Sequence, residues 1–374
     1  MAKSSMIYLS TPDLRGRELE YLRTCIEDNW VSSAGPFVGE FERRIAAMFG
    51  VPHAVATVNG TAALQLALVA GGIKHGDAVV VPDWTFAATV NAVVHASAEP
   101  VFVDVSETNY TICPERVEEA FNESRKPIRA VVAVHVLGRA PDLKALSAIC
   151  KRHDAVLIED AAGAFGAFSE KHAAGCFGDA GIFSFNGNKV ATAGGGGMIV
   201  TADKALADRA RHLSQQARTG DDYCHDEVGF NFRLTNVNAA IGLAQLERLE
   251  EMKKRRLEIE SAYNAALFPS NRLSPLPRAP WDQDYCWLYS VRCSNQSAAN
   301  GLVSSLRADG VEARVFWRAL SAQKPYAGFE RYGGSVSSSL SGVVVSLPCS
   351  SHLTDRDCKA VISAVKRWER AAAA

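Results

Sequence analysis

Short apolar runs alternate with segments of helical period along the first half of the chain. The runs Ala54–Val58, Ala78–Val81, Pro100–Asp104, Ile128–Val134, Ala155–Glu159, Gly181–Phe185 and Met198–Thr201 predict strands. Between them, Thr61–Ala70, Ala87–Ala96, Pro114–Phe121 and Leu143–Arg152 are each long enough for a helix, and Pro114 suits a first turn, where a missing N–H is not needed. Near-continuous apolar strands belong to sheets covered by helices on both faces. The pattern therefore predicts an α/β domain on a central, mostly parallel sheet. Ligands of such sheets bind in loops at the carboxyl ends of the strands, so candidate chemistry is sought there.

The second half reads differently. A long charged helical stretch runs from Asn236 to Phe268 through Leu246, Leu249, Met252 and Leu257, and leads to a second unit. Its basic run Lys253–Arg256 is flanked by Glu250, Glu251, Glu258 and Glu260, which marks a solvated helix face rather than a nucleic-acid patch. The Pro-rich segment Pro269–Pro280 precedes an α+β pattern: strand Trp287–Cys293, helix Ala298–Arg307, strands Val311–Phe316 and Val343–Leu347, and a last helix from Thr354 to Arg370. The terminal Ala371–Ala374 is expected to fray. The expected division is an N-terminal segment over 1–35, a large domain over 36–245, and the connecting helix with a smaller C-terminal α+β domain over 246–374.

Composition narrows the class. With 374 residues the chain can bury a core without disulfides or metal staples. Its 40 basic and 41 acidic side chains give a net charge of −1, so no global field draws in nucleic acid or an anionic membrane. At 48% hydrophobic and 22% charged it is neither disordered nor fibrous. No apolar run approaches the roughly 20 residues of a membrane span, and the start of the chain reaches Asp13 and Arg15 without a signal-peptide core. The nine cysteines are scattered singly with no Cys-x-x-Cys pair, as expected of reduced thiols in the cytoplasm. Consecutive His225-Asp226-Glu227 reads as a polar loop rather than a metal site, because neighbours in sequence rarely converge on one ion. The remaining histidines form no sequence pattern.

Four segments carry candidate chemistry. In Phe183-Ser184-Phe185-Asn186-Gly187-Asn188-Lys189, a lysine follows a buried strand in a turn that lets a ligand approach the backbone, so Lys189 is a candidate Schiff-base nucleophile and Ser184 a hydroxyl for an anion. A surface lysine in a Gly-rich turn gives the same local pattern, and the glycines Gly194–Gly197 lack the spacing of a phosphate-binding fingerprint. Asp160 stands at the end of the apolar strand Ala155–Ile158, after Glu159, where a carboxylate is costly unless paired with a cation such as a protonated pyridine nitrogen. It could equally cap a following helix. Asn59-Gly60-Thr61 opens a helix whose N–H groups and dipole suit a phosphate, or simply a capped helix start. Trp84 and Phe86, at the end of another strand, could each stack on a flat cofactor or belong to the core.

Together, Gly60–Leu64, Pro82–Phe86, Glu159–Ala162, Phe183–Lys189, Gly195–Met198 and Gly229–Asn236 resemble, in order, the motifs of the DegT/StrS-type nucleotide-sugar aminotransferases. The resemblance runs from about Leu9 to Arg367 and implies an aspartate aminotransferase-like fold (fold type I) using pyridoxal 5'-phosphate. It implies that Lys189 carries the cofactor as a Schiff base and Asp160 pairs with its ring nitrogen. Gly60, Thr61 and Ser184 would hold its phosphate, Phe86 would stack on its ring, and Asn231 would reach the phosphate of a partner subunit, making a homodimer with shared sites. Trp30, Ser32, Asn186, Arg218, Arg233, Trp317 and Ser321 would touch the nucleotide sugar. The form Asn186-Gly187-Asn188-Lys189 looks most like enzymes that aminate carbon 4 of a 4-keto-6-deoxy hexose. Gln215–Arg218 looks like members of bacillosamine and legionaminic acid pathways, and Trp30–Gly35 like perosamine synthases. The expected activity is transfer of an amino group, with glutamate as donor, to carbon 4 of a UDP-linked N-acetyl sugar for a surface polysaccharide or glycan. GDP-perosamine synthase-type and carbon-3 amination are the alternatives. A silent cofactor-binding regulator is opposed by the intact Lys189 and Asp160. Related dehydratases carry histidine in place of the lysine. Two departures stand out: Gly163 where the family carries Gln, Glu or His, and Val315 with Ser321 where it carries Pro and His.

Overall fold

A computed structural model describes residues 6–371; of the end expected to fray, Ala371 still belongs to the last helix, and 372–374 lie outside that range. The large domain is built on one mixed sheet. Its strands lie in the order His53–Thr57, Gly197–Thr201, Ala180–Ser184, Val156–Asp160, Ile128–Val134, Ala78–Pro82, Glu99–Val103, Arg331–Tyr332. All pairings are parallel except the two made by Gly197–Thr201, which runs against both of its neighbours. Ala78–Pro82 and Ala180–Ser184 are buried at every position, as their unbroken apolar runs require. Helix Gly60–Ala70 is apolar on all sides and buried at nearly every residue between strands and neighbouring helices. Each apolar run of the first half becomes a strand of this sheet, within a residue or two at the ends.

The stretch Asn236–Phe268 is two helices, Asn236–Leu246 and Leu249–Leu267, broken at Glu247-Arg248. The first is apolar and packs with helices Glu18–Glu27 and Pro36–Phe49 in the large core. The second turns Ile259, Tyr263 and Leu267 into a separate core with helix Asp355–Ala371. A straight helix could not face both cores, and Arg248 anchors the break through Asp13 at 3.2 Å and Glu251 at 2.7 Å.

The second core lies against an antiparallel sheet ordered Leu273–Pro275, Tyr289–Cys293, Val344–Leu347, Arg314–Phe316. Leu273–Pro275 is an edge strand inside the segment expected as a Pro-rich lead-in, and the expected strand Val311–Phe316 pairs only over Arg314–Phe316. Arg331–Tyr332 then returns to the edge of the large sheet. Asp104, just past the neighbouring strand, secures this return by accepting from the N–H groups of Gly334, Val336 and Ser337 at 2.7, 3.0 and 2.8 Å. The segment before it thereby lies beside the carboxyl ends of the large-domain strands. Among the described residues no helix is long and apolar enough to cross a membrane.

Candidate active site

A cavity of about 360 Å³ opens at the carboxyl ends of the parallel strands, and Gly60, Thr61, Phe86, Asp160, Ser184 and Lys189 all line it. These residues come from loops far apart in sequence, brought to one end of the sheet by the parallel topology.

Asp160 closes its strand with a side chain that caps no helix; residues 161–164 form turns. Its Oδ1 accepts from the N–H of Ala162 at 3.1 Å and its Oδ2 from the hydroxyl of Thr89 at 2.8 Å. Thr89 lies in the first turn of helix Ala87–His95, so Asp160 is aimed by the βα unit of strand Ala78–Pro82, which lies one strand beyond its neighbour in the sheet. The next strand residue back, Glu159, points to the other face and is fully buried. It accepts from the N–H groups of Gly175, Phe177 and Gly178 at 2.9, 2.6 and 2.8 Å and pairs with His135 Nε2 at 2.7 Å. Burial works against its charged form, but His135 and the backbone donors outweigh it and hold the carboxyl below the usual range. His135 also lines the cavity, and its buried Nδ1 has no protein partner. A histidine with no sequence pattern thus joins the site through a residue 24 positions away.

Asn59, which also lines the cavity, caps the helix, its Oδ1 accepting from Ala62 N–H at 2.8 Å. Residue 60 must be glycine: a Cβ there would stand 2.8 Å from Ser184 Cβ. Its absence lets the Ser184 hydroxyl lie against the helix N-terminus, where an anion is favoured by both the dipole and free donors. The two aromatics separate cleanly. Trp84 is fully buried, donating its indole N–H to Trp317 O at 3.1 Å, whereas Phe86 is 61% exposed and borders the cavity.

Lys189 lies in the loop joining the antiparallel pair Ala180–Ser184 and Gly197–Thr201. Its Nζ stands 3.7 Å from the centroid of the Trp287 ring. Desolvation pulls its ammonium down to about 8, against the opposing attraction of Asp160. That brings an amine into the range where it can exchange a proton near neutral pH. An anion-binding helix end, an open aromatic face, a carboxylate held from two sides and a depressed lysine fit a phosphorylated pyridine aldehyde along one cavity.

Other expected residues are distributed around this centre. Asn186 and Trp317 line the cavity. Asn231, Arg218 and Arg233 line a second depression of about 540 Å³ with Ser33, Arg211 and Gln216, apart from Lys189. Gln216 and Ala217, beside Arg218, both take left-handed backbone angles, φ 65° and 50°, a conformation that costs non-glycine residues energy and is common at binding loops. Trp30 and Ser32 line neither cavity and are exposed. Ser321 is turned away from the cavity, donating its hydroxyl to Asp83 at 2.9 Å. At the rim of the second depression, Asp226 and Glu227 approach His212 rather than His225, and they pair with His212 and Arg209.

The DegT/DnrJ/EryC1/StrS aminotransferase family matches residues 12–366. EpsN of Bacillus subtilis, whose name describes a pyridoxal phosphate-dependent aminotransferase, is 35% identical over 97% of this chain and 98% of its own. The GDP-perosamine synthase of Caulobacter vibrioides is 36% identical over 98% and 99%. Among solved structures, a DegT DnrJ EryC1 StrS aminotransferase from Brucella abortus superposes with a TM-score of 0.87 at 31% identity, over 94% of this chain and 95% of that one. The chain therefore belongs to the DegT/DnrJ/EryC1/StrS family and is a pyridoxal phosphate-dependent sugar aminotransferase.

Proposed function

We propose that this enzyme moves an amino group from glutamate to carbon 4 of a nucleotide-linked 4-keto-6-deoxy hexose in the cytoplasm. The observation that carries the reading is the single cavity in which Lys189, Asp160, Phe86 and the Gly60–Ser184 cradle meet. When bound, the cofactor supplies an aldehyde to carry the amino group and a ring to accept the electron pair left by deprotonation. Gly60, Thr61 and Ser184 would hold its phosphate, and Phe86 would offer its face to the ring. Asp160, kept in place by Thr89 and Ala162, would hold a proton on the ring nitrogen. Lys189 would anchor the cofactor through its amine, and the same amine, once free, would take the proton from the donor's α-carbon and return one to the sugar carbon. Phe316 and Trp317, which line the same cavity, would offer apolar faces to the sugar, with the exposed Arg314 beside them.

The sugar is read as a UDP-linked N-acetyl hexose on the strength of Asn186–Lys189 and Gln215–Arg218. A GDP-linked sugar is the second reading, favoured by the Caulobacter vibrioides relative, named for GDP-perosamine. Incubation with a panel of UDP-, GDP- and dTDP-linked keto sugars should give a product aminated at carbon 4 by mass and NMR. Amination at carbon 3 removes the regiochemistry; turnover of the GDP sugar alone removes the UDP half.

The active site is further proposed to be shared across a homodimer, Asn231 of one subunit reaching the cofactor phosphate of the other, with Arg233 on the same segment. In one chain these side chains lie outside the Lys189 cavity, among several cations that suit an anion. An amide on a phosphate is worth about 1.5–3 kcal/mol, so Asn231→Ala should loosen the cofactor by roughly one to two decades. Mixed with Lys189→Ala subunits at low cofactor, Asn231→Ala subunits should regain activity, because one hybrid site then carries neither defect. Subunit exchange without recovery would place both residues in one subunit's site.

A further inference from the structure

The segment Tyr285–Trp287 enters the active site from the second domain and packs on glycines of the first. A Cβ built on Gly163 would stand 2.6 Å from Trp287 Cε3 and 2.8 Å from Cζ3, closer than real side chains approach. The indole therefore fills the volume that any side chain at 163 would need, three residues past Asp160, where the sequence departs from the family pattern. Its orientation is held from both ends. The indole N–H donates to Asn188 O at 2.8 Å, beside the lysine, and the Trp287 carbonyl accepts from the buried Arg256 at 2.6 Å. Its ring face lies under Lys189 Nζ at 3.7 Å, within reach of a cation–π contact. Trp287 is 6% exposed, so this contact is largely desolvated, where such contacts are strongest.

We propose that Trp287 is the positioning residue for Lys189, and that Gly163 is glycine because it must admit the Trp287 ring. The cavity wall at 163 is then a hydrocarbon face rather than a hydrogen-bonding side chain. The ring face holds the ammonium form of Lys189 over the cavity, and the indole N–H ties the ring to the lysine's own loop. This rests on the role proposed for Lys189, but the packing half stands without it.

Two measurements on the apoprotein test the two halves. Melting temperatures are compared for wild type, Gly163→Ala, Trp287→Leu and the double variant. Gly163→Ala alone should lower the melting temperature by about 3 °C or more, because the ring is forced out of its seat, and should do so by less than half as much when Trp287 is already leucine. An equal loss in both backgrounds, or no loss in the first, overturns the claim that Gly163 makes room for Trp287. The second measurement follows the visible band that forms when pyridoxal phosphate is added, as a function of pH. Trp287→Leu keeps the wall apolar but removes the ring face, so the midpoint of the condensation rate should fall by about one unit, while Trp287→Phe should stay within a few tenths of wild type. Equal shifts for leucine and phenylalanine, or none, overturn the positioning role. If wild type itself forms no band, the cofactor role of Lys189 falls, and the melting temperatures still decide the packing.

Discussion

Lys189→Ala is expected to fold, to form no visible band with pyridoxal phosphate, and to lose at least about three to four decades in turnover. A positioned proton-transfer group contributes roughly 10²–10⁴ in rate, and this lysine also anchors the cofactor. Its ammonium sits at about 8, not at the ordinary lysine value of 10.5, because burial disfavours the charge more than Asp160 restores it. The sign follows: condensation with added cofactor requires the free amine, so its rate in wild type should climb through a midpoint near 8 and flatten above it. A midpoint above 10, or a Lys189→Ala protein that still turns over, is incompatible with this assignment.

Asp160→Asn is the second large effect. The amide is nearly the same shape and its oxygen can still accept from Thr89 or Ala162, so the turn should survive. A neutral amide cannot hold a proton on the ring nitrogen, however, and loss of a buried charge partner costs about 3–5 kcal/mol, hence roughly two to four decades in rate. Circular dichroism and cofactor content unchanged, with turnover down by that factor, is the expected outcome. Activity within a few-fold of wild type would reduce Asp160 to a residue that closes a turn.

Which of the candidate side chains is open to the cavity, and what holds the others, depends on contacts between residues far apart in the chain. Whether Trp84 or Phe86 faces a ligand is invisible in a run of residues that ends a strand; burial of Trp84 under Trp317, in the other half of the chain, leaves only Phe86 open. Thr89 was legible as a helix residue but not as the partner of Asp160, since the two meet only when strands Ala78–Pro82 and Val156–Asp160 both flank Ile128–Val134 in the sheet. His135 follows strand Ile128–Val134, at the strand end where chemistry was expected, and that rule could have singled it out. The continuous helix expected from Asn236 to Phe268 failed for a comparable reason: charge and period are local, while the break answers to two cores.

The sequence by itself determined the strands of the large sheet, the helices between them, and the placement of Lys189, Asp160, Gly60 and Ser184 at strand ends or the helix start beside them. Apolar period and turn residues act over a few positions, and those are the interactions that set such elements. Tertiary structure alone decided which aromatic is open, what orients Asp160, that Glu159 carries His135, that Asn231 and Arg233 lie away from Lys189, and that Trp287 fills the space above Gly163. Each of those depends on two surfaces brought together by chain folding, and a buried hydrogen bond or ring contact between residues far apart leaves no period in the sequence to read.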